Sequence, residues 1–215
     1  MHRILEMTGL GPKSPQGAKL LLGCFALLLV ACSSQKTQPP APAEQPPETQ
    51  PSVEQLQRWT IKGKIGVRSP KDNGSANLTW EQKNSPRYRI HLSGPLGAGA
   101  TVISGSPAGV SLQRGDDPPV HAPSPAQLTM QTLGWPLPID EMYYWVRGLA
   151  APGGGASEQR NAGGQLQSLQ QSGWQLNFSG YENRGPYTLP TKIKATTSQA
   201  AGPVNVTLVI KEWVF

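Results

Sequence analysis

The stretch "RWTIKGKIGVR", residues 58 to 68, decides the fold. Trp59, Ile61, Gly63, Ile65 and Val67 alternate with Thr60, Lys62, Lys64, Gly66 and Arg68. A period of two with one apolar face belongs to an antiparallel strand that buries one side and wets the other. Working outward, the same alternation puts Ala76, Leu78 and Trp80 on one face of "SANLTWEQ" and Tyr88, Ile90 and Leu92 on one face of "RYRIHL". Further strands are predicted over 100–104, 110–114, 165–170, 174–181, 191–197 and 204–213. Asp72-Asn73-Gly74, Ser85-Pro86 and Ser172-Gly173 supply turns between them.

Helices are expected only in the middle of this run. Ser124 reads as an N-cap, with Pro125 in the first turn, Leu128, Met130 and Leu133 after it and Gly134 as the stop. A second helix should follow Pro138, with Asp140 and Glu141 in its first turn, Met142, Trp145, Val146 and Leu149 along one side, and an end at Gly148. Strands, two short helices, then strands again predict a mainly β, α+β fold: one curved antiparallel sheet covered by the helices. The glycine-rich "APGGGASEQRNAGG" around Gly153 reads as a long loop.

The N-terminus is read separately, because "KLLLGCFALLLVACSSQ" joins a basic flank to an apolar run from Leu20 to Ala31. That run is shorter than the roughly 20 apolar residues of a membrane span and has the layout of a secretory signal. It ends in Leu29-Val30-Ala31-Cys32, which resembles the bacterial lipobox. Residues 1–31 are therefore expected to be cleaved, leaving Cys32 as the lipid-bearing first residue. Ser33 and Ser34 after it point to the outer membrane, since aspartate at the first of these positions is the inner-membrane signal in enterobacteria. Cys24 goes with the signal and Cys32 is acylated, so no thiol is left for a disulfide or a metal. From 33 to 52 the chain is Gln, Thr, Ala, Glu and Pro, with prolines at 39, 40, 42, 46, 47 and 51. Such a segment has little to bury and reads as a tether reaching up to roughly 60 Å. The expected domains are thus 1–31 signal, 32–52 lipidated cysteine and tether, and 53–215 the folded domain.

Chemistry leaves little trace. The formal net charge of +6 falls by two when the signal is removed. His91 lies on a polar strand face and reads as solvated, and His121 sits in no metal-ligand spacing. Asp116-Asp117, followed by Pro118-Pro119, reads as a turn. No serine-nucleophile motif, phosphate-cradling loop or nucleotide motif is present, so a non-enzyme is expected, with no metal, no nucleic acid and no cofactor beyond the lipid on Cys32. The tryptophans are more informative. Wide aromatic and aliphatic side chains on a curved sheet can form either a packed core or the wall of a hollow for something apolar and flexible. Trp59, Ile61, Trp80, Ile90, Trp145 and Trp174 are the candidates for that hollow or the core supporting it. Lys62, Lys64, Arg68, Arg87 and Arg89 share the polar faces of the early strands, as solvated surface or as attraction to an acidic partner or anionic headgroups.

Taken together, "GKIGV", "SANLTWEQ", "YRIHLSGPLGAG", "LGWPLP", "YYWVRGL", "LQQSGWQLNFSGY" and "VTLVIKEW" resemble, in order and spacing, the outer-membrane lipoprotein receptor family LolB. The resemblance implies a half-barrel of antiparallel strands lidded by helices and enclosing an apolar cavity. It also implies a monomeric protein that takes lipoproteins, by their acyl chains, from the periplasmic carrier LolA and places them in outer-membrane lipid. It aligns Leu96, set between Gly94, Pro95, Gly97 and Gly99, with the loop leucine that promotes insertion. Another class stays open: an envelope-assembly lipoprotein binding a protein or glycan on its concave sheet. That class predicts a packed interior. A lipid hydrolase would need a nucleophile and base that the sequence lacks.

Overall fold

The computed structural model describes residues 51–71, 73–94 and 99–215; Cys32 and Leu96 lie outside them. After a 3-10 turn at Val53–Gln55, six strands follow as a meander: β1 (Trp59–Arg68), β2 (Asn73–Asn84), β3 (Arg87–Ser93), β4 (Thr101–Ser106), β5 (Gly109–Arg114) and β6 (Val120–Ala122). Two helices, α1 (Pro125–Leu133) and α2 (Ile139–Trp145), come next. The chain then forms β7 (Ser157–Arg160), β8 (Leu166–Gln171), β9 (Trp174–Phe178), a separate hairpin of β10 (Tyr181–Arg184) and β11 (Tyr187–Pro190), β12 (Lys192–Gln199) and β13 (Gly202–Val214).

Eleven strands form one sheet in the order β6-β5-β4-β3-β2-β1-β13-β12-β9-β8-β7, each pair antiparallel. The first and last strands meet at its centre, and the two edges, β6 and β7, are consecutive in sequence. The chain must therefore return from one edge to the other, and α1 and α2 lie in that return. This connectivity is why the helices cover one face.

The α1 signals hold in detail, whereas α2 ends at Trp145, short of the expected stop at Gly148, so that Val146 lies in the turn after the helix and Leu149 beyond it. The Ser124 side chain accepts from the Gln127 N–H at 3.3 Å, Pro125 occupies the first turn, and Gly134 ends α1 at φ 81° in the left-handed region that glycine favours. The strand reading differs at three places. β9 stops at Phe178, and Tyr181 starts the β10–β11 hairpin instead. β6 is three residues long beside prolines, and β7, inside the glycine-rich segment, is exposed at all four positions. An exposed edge strand buries neither face, so it has no alternation to display.

β1 and β13 slip register between Lys62 and Gly63, where Lys62 faces Glu212 but Gly63 faces Ile210. The extra residue on β13 makes a bulge, and the backbones come so close that a Cβ on Gly63 would sit 1.9 Å from the Val209 carbonyl oxygen. Gly63→Ala is expected to destabilise the domain by about 3 kcal/mol or more, read as a lower denaturation midpoint in urea. An unchanged midpoint would mean that the central pairing tolerates a side chain there.

Candidate functional site

The inward side chains change size along the sheet. At one end Trp59, Trp80, Tyr88, Tyr143 and Trp213 pack on one another, with Trp59 centroids 5.2 Å from Trp80 and 5.4 Å from Trp213. Offset and edge-on aromatic pairs of this kind add about 0.5–1.5 kcal/mol each beyond area burial. This end is closed. Towards the other end β1 continues as Ile65 and Val67, while β2, read backwards, dwindles from Trp80 and Leu78 to Ala76 and Gly74. Small side chains leave space, and a hollow of about 310 Å³ opens there, lined among others by Ile65, Val67, Ala76, Leu92, Leu112 and Trp135. A second, narrower apolar hollow beneath α2 is bounded by Met142, Trp145, Trp174 and Leu208, and shares Leu137 and Val206 with the first.

The wider hollow opens at the C-terminal end of β3 and the N-terminal end of β4, since Leu92 and Thr101 both line it. β3 ends at Ser93 and β4 begins at Thr101, so the segment that joins them is flanked by two residues of this lining. Of its described lining residues only Arg114 is charged.

Specific polar contacts set the lid over this space. The Thr129 hydroxyl donates to the Pro125 carbonyl at 2.9 Å and accepts from the Leu137 N–H at 2.7 Å, fixing the link between the helices. Buried Gln171 accepts from Trp145 Nε1 and from the Ala151 N–H and donates to the Ala151 carbonyl, pinning α2 to β8. Arg147, 2% exposed, donates to the carbonyls of Tyr143 and Leu56 and stacks 4.0 Å from the Tyr143 ring, tying the entry of the domain to α2. Burial pulls its guanidinium below the ordinary value, while Tyr143, Tyr144 and Glu54 favour the charged form. By contrast, the end of α1 is held from the rim. Arg114 donates to the Thr132 carbonyl at 3.2 Å, and the Lys71 ammonium lies beside Gly134. Both cations suit the negative end of a helix, and both are exposed and replaceable by water.

Of the candidates from sequence, Trp59, Ile61, Trp80 and Ile90 lie in the packed core, whereas Trp145 and Trp174 bound the narrow hollow. None of the six lines the wider hollow, which is bordered instead by residues such as Ala76, Leu112, Leu133 and Trp135 that sequence reasoning assigned to no site. The signal that could have found them is the shrinkage of inward residues along β1 and β2. Among the described residues no group of three or more His, Cys, Asp or Glu side chains could hold a metal ion.

A half-open antiparallel sheet with a helical lid over an apolar hollow, closed at one end and open at the other, defines a binding domain for an apolar, flexible ligand. Comparison with known proteins narrows this class. The family model described as "Outer membrane lipoprotein LolB" matches residues 57–213, and the chain belongs to that family. It is 43% identical over 159 residues to the outer-membrane lipoprotein LolB of Pseudomonas fluorescens, covering 74% of this chain and 75% of that one. The LolB of Cellvibrio japonicus is 39% identical over 205 residues, covering 90% and 96%. That of Pseudomonas savastanoi pv. phaseolicola is 38% identical over 194 residues, covering 90% of each. A solved LolA superfamily protein from Nitrosomonas europaea superposes with a TM-score of 0.48 at 10% identity, covering 73% of this chain and 85% of that one. Among the described residues no helix is long and apolar enough to cross a membrane.

Proposed function

We propose that this protein accepts lipoproteins from the periplasmic carrier LolA, holds their acyl chains in the hollow at the open end of the sheet, and delivers them into the outer membrane. Family membership assigns it to lipoprotein localisation, and the observation that carries the reading is the apolar hollow opening on the rim where β3 and β4 end. The physical need is clear. At about 0.8 kcal/mol per methylene, a three-chain anchor costs tens of kcal/mol to expose to water, so it must pass from hollow to hollow to bilayer without becoming free. A receptor already moored by Cys32 at the destination meets that need as a monomer and without catalysis.

A hollow of about 310 Å³ is near the lower limit for ligand pockets and too small for three long chains at once. Loading therefore requires α1 to swing from the sheet, and its weakly held C-terminal end, with Arg114 and Lys71 exposed to water, is where it would part. The envelope-assembly alternative calls for a filled interior, which the open end does not supply.

The test separates anchor from domain. A Cys32→Ala form with a cleavable secretory signal should be released into the periplasm and still take lipoprotein from loaded LolA at a rate close to the parent's. A soluble, folded form that leaves all cargo on the carrier sinks the proposal.

A further inference from the structure

The outer face of the central strands changes character along its length. Near the closed end its charges are mixed: Lys62 pairs with Glu212 at 3.0 Å, and Glu81 on β2 lies across from Arg89 on β3. Towards the open end only cations remain among the described residues. Register sets Lys64 opposite Val209, which in turn faces Lys192; Gly66 opposite Thr207, which faces Lys194; and Arg68 opposite Asn205, which faces Thr196. Lys64, Arg68 and Lys194 are exposed, and none of these three or Lys192 forms an ion pair with a carboxylate among the described residues. Asp72, which falls between β1 and β2 in the sequence, lies outside the described residues, and it is one carboxylate against four cations.

These strands also form a hollow of about 810 Å³, whose side-chain lining includes Arg68, Lys194, Asn73, Ser75, Thr196 and Asn205, with no carboxylate among the described residues. The Thr196 hydroxyl donates to Asn205 Oδ1 at 3.0 Å, which leaves the Asn205 amide N–H groups free to donate outward. Val67, Gly74, Ser75 and Val206 border both this hollow and the apolar one, so the two share a rim.

We propose that this cationic hollow on the outer face of β1, β2, β12 and β13 docks on anionic phospholipid headgroups and so turns the mouth of the apolar hollow towards the bilayer. The inference rests on the transfer function above and adds the surface that orients it. Cations flanked by neutral hydroxyl and amide donors match a phosphodiester, which offers charge and several acceptor oxygens in one place. A protein partner would be expected to seat aromatic or aliphatic anchors, yet the large exposed apolar side chains among the described residues, Val120, Met130, Val214 and Phe215, are not part of this lining. Each cation near an anionic surface strengthens attachment about fivefold, enough to orient a domain that Cys32 already holds nearby.

The experiment uses the whole mature chain carrying Cys32→Ala, so that acyl chains do not dominate binding. It is mixed with vesicles of phosphatidylethanolamine alone, or of phosphatidylethanolamine and phosphatidylglycerol at about three to one, and bound protein is read by flotation. Preferential binding to the phosphatidylglycerol vesicles, weakening with salt, is expected. The pair Arg68→Gln and Lys194→Gln should lower it roughly twentyfold. Lys62→Gln, about 20 Å from Arg68 along the strand and already neutralised by Glu212, should change it by less than about threefold. Acceptance of cargo from LolA should be unchanged in every variant. Equal binding to both vesicles, or equal losses in the Lys62 variant and the double variant, overturns the proposal. So does a double variant that binds anionic vesicles normally but no longer accepts cargo, because the hollow would then serve the carrier. If the unsubstituted form binds anionic vesicles but accepts no cargo, the transfer function fails while the headgroup site stands.

Discussion

Ala76→Trp is expected to leave the sheet folded and to reduce acceptance of lipoprotein by more than a hundredfold. Ala76 sits on β2 opposite Ile65, half-buried, with its methyl group bordering the wider hollow. An indole there would project into space that is empty, so neighbouring side chains need not move far. Each methylene of cargo kept out forfeits about 0.8 kcal/mol, and exclusion of only four loses roughly 3 kcal/mol, more than a hundredfold in retention. Far-ultraviolet circular dichroism and a urea midpoint monitor the fold, and transfer from loaded LolA monitors function. A folded variant that accepts cargo normally would place the acyl chains elsewhere.

Leu96→Glu is expected to spare both folding and acceptance from LolA while slowing delivery into liposomes by roughly ten- to a hundredfold. That range corresponds to the 1.5–3 kcal/mol gained by burying one leucine. It is far less than the acyl chains on Cys32 provide, so Leu96 is proposed as a local guide and not as the anchor. The described parts of the chain motivate this role: Leu92 and Thr101, which precede and follow the segment in the sequence, both line the hollow. Cargo caught on the receptor in the presence of liposomes is the expected signature. Normal incorporation by the folded variant would remove Leu96 from the delivery step, and an unfolded variant would mean that it belongs to the core.

What the sequence made legible follows from which interactions are local. The alternation in β1, β2 and β3, the Ser124 cap and the Gly134 stop each express a preference decided within a few residues, and each is met. β6 and β7 were not legible, because short exposed edge strands carry no burial pattern. The strand expected over 174–181 overran the end of β9 at Phe178, because Gly180 at φ 83° turns the chain and Tyr181, out of phase with Trp174, Leu176 and Phe178, begins the β10–β11 hairpin. The hollow is the least local feature of all. Whether a tryptophan packs or borders a void depends on what faces it: Trp59 meets Trp80, Tyr143 and Trp213, whereas Trp174 lies next to Trp135 and the space beneath α2. Aromatic content drew attention to large side chains, while the opening itself is made by small ones, Gly74, Ser75 and Ala76.

The central claim is that cargo acyl chains enter the open end of the sheet, and site-specific photo-cross-linking tests it most directly. A photoreactive phenylalanine analogue is placed at Leu92, at the open rim, and separately at Phe215, which is 53% exposed near the closed end. Each protein is irradiated with LolA carrying a lipoprotein labelled in its acyl chains. The account predicts labelled adducts from position 92 that disappear when liposomes take up the cargo, and none from position 215. Adducts from position 215 with none from position 92 would contradict it.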